Sequence, residues 1–481
     1  MAGIVGIAAP NEDQLVADAL SKIEHRGGAG STILSLDRAT FGQAWPGAQE
    51  THVTCVEQHA VVLDGEIHNW TDLGVGATCP VEALELAYTC AGPEFVAQLD
   101  GPFAFAIAGP RGIFLARDQL GKAPLYYGRR DGAICFASEL KALLGWADHI
   151  AHFPPGHYYE PDVGLRRYAR IEAADTLDED AESVAAELRD RLVSSVRKRV
   201  DGGEVGAWLS GGLDSATMTA LARRQVSELP TFAVGVEGAP DLEYAQAVAE
   251  FVGTDHHERV CGLDEMLLVL PEVIYHLESF DALLVRSSLT NFLVGRLAAE
   301  HVPAVLSGEG GDELFAGYSY LRGMEPAELP AELVDITRRL HNTALQRVDR
   351  CSAAHGLVAR TAFLGREVVE YALQIPPEMK LNGDTPGAEK WILRRAMDGL
   401  LPTSVLQRPK AKFWQGAGVG DQLAGHAEQL ISDQEFESER ALPDGTGLNT
   451  REELFYYRIF REQFGDVDPA LVGRTKGAPV A

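Results

Sequence analysis

The sequence predicts an α/β protein made of two successive folds, a strand-rich first part and a second part in which strands and helices alternate. Three observations carry that prediction. Short apolar runs broken by Gly, Pro and Asp fill residues 1 to about 165. The apolar period then changes to four at Ser183. Finally, a short apolar strand runs straight into Ser210-Gly211-Gly212-Leu213-Asp214-Ser215 ahead of a helix. At roughly 100–200 residues per domain, a chain of 481 residues has room for two or three.

In the first part, Ala60–Leu63, Phe103–Ala108 and Gly132–Ala137 read as strands, with Phe153-Pro154-Pro155-Gly156 closing the region. Glu172 to Glu182 is polar and without periodicity, a linker. Val184, Leu188, Leu192, Val196 and Val200 then mark one face of a helix. Val205–Leu209 reads as a buried strand and Ala216–Val226 as a helix. Thr231–Val236 is the next strand, 242–252 a helix, and Pro303–Leu306 a further strand. Such alternation predicts a parallel sheet wrapped by helices. Beyond about 320 the pattern is helical, and the Gly-, Pro- and Lys-rich end, 468–481, reads as a flexible tail.

Net charge is −28, from 42 basic and 70 acidic side chains. A surface that acidic excludes nucleic acid and anionic membrane as partners. No apolar run is long enough to span a bilayer, and the apolar N-terminus lacks a basic leader and cleavage pattern. Six cysteines, at 55, 79, 90, 135, 261 and 351, form no CxxC pair. That argues against zinc or a disulfide framework and for a cytoplasmic protein.

The chemistry centres on 210–215. Two glycines let backbone N–H groups approach phosphate oxygens, and the helix that follows offers unpaired donors and a positive dipole end. Ser210 and Ser215 add hydroxyls. Asp214 would repel phosphate unless Mg²⁺ lies between them. A second strand end, Ser307-Gly308-Glu309-Gly310-Gly311-Asp312, offers the same chemistry. Two such strand ends can hold one nucleotide, with Asp214 and Asp312 sharing the metal and Glu309 facing the reacting carbon. His256-His257 reads as a polar loop entering a strand at Arg259-Val260, not as a metal site. Phe455, Tyr456, Tyr457, Phe460 and Phe464 lie on a helix at 450–464 and are expected to serve packing or a homodimer contact.

At these residues the chain resembles the asparagine synthetase B family and its relatives, including β-lactam synthetase. The resemblance extends to Phe232-Ala233-Val234-Gly235, Ser307–Tyr318, Asp349–Gly356, Arg408-Pro409-Lys410-Ala411-Lys412-Phe413 and Leu448–Phe464. It implies ATP and Mg²⁺ as cofactors. Ser210, Gly211, Gly212, Asp214 and Ser215 would hold phosphates, while Trp208, Leu209, Val234, Ser307 and Gly308 would line the adenosine pocket. Asp214 and Asp312 would bind the metal. Lys390 and Lys410 would neutralise phosphate, Lys410 also stabilising anionic transition states. Glu309 would help deprotonate the attacking amine.

The first part resembles the family's glutaminase domain through Gly65–Asn69, Leu99-Asp100-Gly101, Arg117–Gly121 and Phe136–Lys141. The fold implied is an N-terminal-nucleophile αββα sandwich over 1–170, then a linker 171–182 and an ATP-pyrophosphatase (PP-loop) synthetase domain over 183–467. That glutaminase chemistry needs a cysteine where this chain has Ala2. Asp64 stands where an Asn would help form the oxyanion hole, Thr78 falls near a glutamine-binding Asp, and Gly27-Gly28-Ala29-Gly30 replaces the usual Gly-Pro-Asp. The expectation is a domain that neither binds nor hydrolyses glutamine.

In the synthetase half, Leu283 and Leu284 replace paired threonines before Arg286, and Val358, Ala362 and Gly365 replace Glu, Pro and Asp. Leu283, Leu284, Arg286, Val358 and Gly365 are therefore expected to shape a pocket ill-suited to aspartate, since an unpaired polar group costs about 1–3 kcal/mol. The expected function is adenylation of a carboxylic acid in specialised metabolism, such as antibiotic biosynthesis, and acyl transfer to a non-glutamine amine. Both substrates are small molecules. Intramolecular lactam formation, ammonia-dependent asparagine synthesis and a non-catalytic homologue are the competing readings.

Overall fold

The computed structural model describes residues 2–45, 53–56, 59–201, 203–382, 388–409, 416–418 and 420–475. It divides into two compact units, Met1–Ile171 with Ala353–Gly356, and Glu172–Ser352 with Leu357–Ala481.

The first unit holds two six-stranded sheets. One runs Asp148–His152, Tyr126–Arg130, Ala133–Ala137, Gly3–Ile7, Ala39–Trp45, Gly30–Leu36. The other runs Gly164–Arg167, His157–Glu160, Gly112–Arg117, Phe103–Gly109, His59–Gly65, Val53–Val56. Alternation along single strands shows how the layers form. Ala104, Ala106 and Ala108 join Ile4, Phe41, Val62 and Phe136 in one core. Phe103, Phe105 and Ile107, one residue out of phase, pack with Val81, Leu84 and Tyr88 of the helix Pro80–Ala91 in another. Small residues on one face and large on the other set the two cores in one strand.

The second unit is built on a five-stranded parallel sheet in the order Asp255–Val260, Pro230–Gly235, Val205–Trp208, Ala304–Ser307, Val358–Thr361. The helix Ala181–Val200 buries Val184, Leu188, Leu192, Val196 and Val200, the stripe read from sequence. Asp180 caps it, accepting from the N–H groups of Glu182 and Ser183.

Four expectations need correction. The helix after the glycine loop begins at Leu213 and ends at Arg223, because the loop's last residues already adopt helical geometry. The strand expected at Pro303 begins one residue later, at Ala304. His256 and His257 lie inside the strand Asp255–Val260, where His256 Nδ1 meets Thr231 Oγ1 at 3.0 Å and His257 stacks on Phe232. The end of the chain is not a loose tail as far as Thr475. Gly473 O accepts from Ser279 Oγ at 2.6 Å, Thr475 N donates to Asp281 Oδ2 at 2.9 Å, and Arg474 pairs with Glu453 at 2.6 Å. The remainder of that segment lies outside the described residues.

The aromatic face of the helix Arg451–Phe464 is used within the unit, with Phe460 5.3 Å from Phe280 and 4.7 Å from Phe464 between ring centroids. Among the described residues no helix is long and apolar enough to cross a membrane.

Candidate active site

The strand Val205–Trp208 is wholly buried and central in its sheet. The next two strands in sequence lie on one side of it and the last two on the other. This is the topological switch point at which open parallel sheets bind ligands. A cavity of about 240 Å³ opens there, lined by residues of the second unit.

The loop Ser210–Ser215 wraps one wall. Gly211 has φ +68°, and a Cβ there would fall 2.4 Å from Tyr244 Cβ, so both conformation and space require glycine. Ser215 Oγ accepts from Ser210 N at 3.1 Å and contacts Ser210 Oγ at 3.0 Å, fixing the turn. The helix Leu213–Arg223 has Gly212 as N-cap and no side-chain cap, which leaves its first N–H groups to a ligand. Gly308, after the strand Ala304–Ser307, lets that loop close on the same helix start. A Cβ at Gly308 would lie 2.8 Å from Ser215 N.

Trp208, Leu209, Ser210, Gly212, Asp214, Ser215, Val234, Ser307, Gly308, Glu309, Asp312 and Lys390 all line the cavity. Gly211 turns behind it. Lys410 lies outside the described residues, but Arg408 of the same motif lines the cavity. Its guanidinium meets Asp241 Oδ1 at 2.5 Å and sits 4.0 Å over the Tyr244 ring.

Asp214 and Asp312 converge on one point, and a lysine stands at it. Lys390 Nζ is 2.5 Å from Asp214 Oδ2 and 2.5 Å from Asp312 Oδ1. Lys390 is 2% exposed and has a left-handed backbone, φ +55°. The lysine expected to face phosphate therefore holds the two expected metal ligands. The other oxygen of Asp214, Oδ1, is buried without a hydrogen-bond partner. Two hard carboxylates aimed at one point, one with an oxygen to spare, fit a Mg²⁺ ion.

Glu309 does not stand alone. Its carboxylate accepts from Arg347 of the helix Ala344–Ala353. Burial works against the Arg347 charge, yet Glu309, by charge and hydrogen bond, carries its pKa above the ordinary guanidinium value. Nearby, Tyr318 Oη donates to Glu313 Oε1 at 2.5 Å. Burial first, then Asp312 and Glu309, push the Glu313 pKa up to about 7.

The expected acceptor residues are placed differently. None of Leu283, Leu284, Arg286, Val358 and Gly365 lines the cavity. Leu284 is buried, Arg286 is paired with Glu452 of the last long helix, Val358 starts the edge strand, and Gly365 caps the helix Arg366–Gln374. Leu283 lies one turn ahead of Ser287 on the helix Ala282–Ala299. It is Ser287, Asn291 and Val294 of that helix that reach the cavity. Sequence reasoning missed these and Arg347. The available signal was a cluster of polar residues, Ser287, Ser288, Thr290 and Asn291, in a helix whose other polar residues are Arg286 and Arg296.

In the first unit, Ala2 is buried and its carbonyl accepts from Arg26 Nε at 2.8 Å. Arg26, itself fully buried, also binds Asp64 at 3.1 Å and Glu139 at 2.9 Å. Ser138 Oγ donates to Asp64 at 3.0 Å, and Lys141 pairs with Glu139. Thr78 bonds only locally among the contacts described, to Glu82.

Residues 187–331 and 325–469 match the model of the asparagine synthase family, and residues 1–160 that of the glutamine amidotransferase domain. Asparagine synthetase [glutamine-hydrolyzing] 2 of Arabidopsis thaliana is 35% identical over 84% of this chain and 75% of its own length. The Lotus japonicus protein of the same name is 33% identical over 88% and 77%. A Bacillus subtilis glutamine phosphoribosylpyrophosphate amidotransferase structure overlaps 48% of this chain and 65% of its own, at 16% identity and a TM-score of 0.31, too little to bear on function. With the synthase model covering more than half of its length and such relatives across most of it, the chain belongs to the asparagine synthase family and is an ATP-dependent C–N ligase.

Proposed function

We propose that the protein adenylates a carboxylic acid other than aspartate and passes the acyl group to an amine that does not come from glutamine. The observation that carries the reading is the pairing of an intact nucleotide cavity with Ala2 and a salt-bridged Asp64 in the first unit.

In the first step an oxygen of the acid attacks the α-phosphorus of ATP, the bond to the β-phosphate oxygen breaks, and pyrophosphate leaves. The free N–H groups at the start of the helix Leu213–Arg223, with Ser210 and Ser215, hold phosphate oxygens. Lys390 and Arg408 supply fixed positive charge where negative charge builds; Lys410 joins them by its place in the motif. Asp214 and Asp312 would hold Mg²⁺, which supplies charge neutralisation at the departing phosphates. In the second step an amine attacks the acyl carbon and AMP leaves with the bonding pair. Glu309 takes the amine's proton, and Arg347 holds that carboxylate in place.

Two arguments bear on the acid. Leu283 and Leu284 stand where the family resemblance places paired threonines, which removes two hydroxyls one turn ahead of Ser287, a residue of the cavity wall. Against that, relatives named asparagine synthetase are up to 35% identical, which favours aspartate with free ammonia as the second reading. A place in specialised metabolism follows from the first reading alone. ATP–pyrophosphate exchange over a panel of acids that includes aspartate, with amines, ammonia or glutamine added afterwards, separates them. Exchange with an acid other than aspartate, and product without glutamine, is the expected result. Glutamine-dependent product with no other amine would overturn it.

A further inference from the structure

The helix Ala282–Ala299 is buried around most of its surface, and such a helix has no ordinary use for an amide. Asn291 nevertheless faces the cavity, is 3% exposed, and its Oδ1 has no hydrogen-bond partner. Trp208 lines the same cavity at 6% exposure, and its Nε1–H is likewise unpartnered. Buried polar atoms are nearly always satisfied, so two unpartnered ones on residues that line one cavity point to a ligand that satisfies them.

The two atoms are of opposite sense, one acceptor and one donor. Phe232, Val234 and Val294 line the same cavity, the first two on the strand paired with that of Trp208 and the third on the helix of Asn291. A flat, largely apolar ring with an amino donor beside a ring nitrogen fits there, and the triphosphate it carries would run toward the loop Ser210–Ser215.

We infer that Asn291 is a specificity residue for the nucleotide base: its Oδ1 accepts a hydrogen bond from the 6-amino group of adenine while Trp208 Nε1 donates to a ring nitrogen. The inference rests on the proposed use of this cavity for ATP.

The test is equilibrium binding by calorimetry, in magnesium buffer and with no acid present. ATP is compared with purine riboside 5′-triphosphate, which lacks the 6-amino group. The wild-type chain should bind ATP about tenfold more tightly, the usual worth of one such hydrogen bond. Asn291→Leu, close in volume, should bind ATP about tenfold more weakly and the analogue within about twofold of wild type, so that discrimination vanishes. Equal wild-type affinity for the two triphosphates would overturn the assignment, with or without a folded variant. So would a Leu variant that weakens both alike. Failure of wild type to bind either triphosphate would instead refute the ATP reading itself.

Discussion

Lys390 binds Asp214 at 2.5 Å and binds Asp312 at the same distance, so one ammonium holds together two carboxylates from different strand ends. Removing it leaves like charges facing each other in a part-buried site, and breaking such a cluster costs about 3–5 kcal/mol. Lys390→Met should therefore melt several degrees lower than wild type in the presence of a chelator. Mg²⁺ alone, without nucleotide, should restore more of that loss in the variant than it adds to wild type. Pyrophosphate exchange should fall by about a hundredfold if, as proposed, the same ammonium serves the phosphates. Equal magnesium responses in the two proteins would sink the shared-site picture.

In the proposed mechanism Arg347 and Glu309 serve the second chemical step and not the first. If Glu309 acts only when the amine attacks, Arg347→Met should slow acyl transfer by about a hundredfold and leave ATP–pyrophosphate exchange within about threefold of wild type. Glu309→Gln should give the same split, and the double variant should be little worse than either single one. Additive losses would mean that the two side chains act independently.

The loop at 210–215 and the strand end at 307–312 were legible because each packs its chemistry into six consecutive residues between a strand and a helix. The three-dimensional partners were not. Arg347 reaches Glu309 from a helix whose sequence carries no marker of its own. Asn291 reaches the cavity through helix packing, and Lys390 reaches Asp214 across 176 positions of sequence. The chain end was misread for another reason. Its composition signals disorder, but Thr475 and Gly473 are held by Asp281 and Ser279, contacts that composition does not register. In the first unit the alternation of Ala and Phe in 103–108 reads as one strand. That the two faces serve separate cores appears only once the helix Pro80–Ala91 is in place.

Asp64 and Arg26 predict how hard glutamine chemistry is to restore. Ala2→Cys supplies a thiol, yet the carboxylate at the expected oxyanion site stays buried and bonded to Arg26 and Ser138. A carboxylate repels the oxyanion that the reaction must build. With the initiator methionine removed, Ala2→Cys should release glutamate from glutamine no faster than about twice the wild-type background. A clear multiple-turnover glutaminase in that single variant would show that Asp64 is no obstacle.

Lys380 ties stability to pH. It is 2% exposed and surrounded by Thr176, Pro330, Leu333, Leu373, Ile375 and Pro377. Burial lowers its pKa to about 7, whereas an unfolded lysine titrates near 10.4. Below pH 7 both states carry the proton and the cost of burying the charge is fully present. Between pH 7 and about 10 only the unfolded state holds the proton, so stability rises with pH through that window, by up to about 1.4 kcal/mol per unit. Lys380→Met removes the charge and keeps most of the volume. It should melt well above wild type at pH 6, with the gap shrinking steadily by pH 9.5. Thermal melts of both proteins across that range decide the matter. A gap that does not change with pH would mean that the gain comes from apolar packing and that Lys380 is not neutralised by burial.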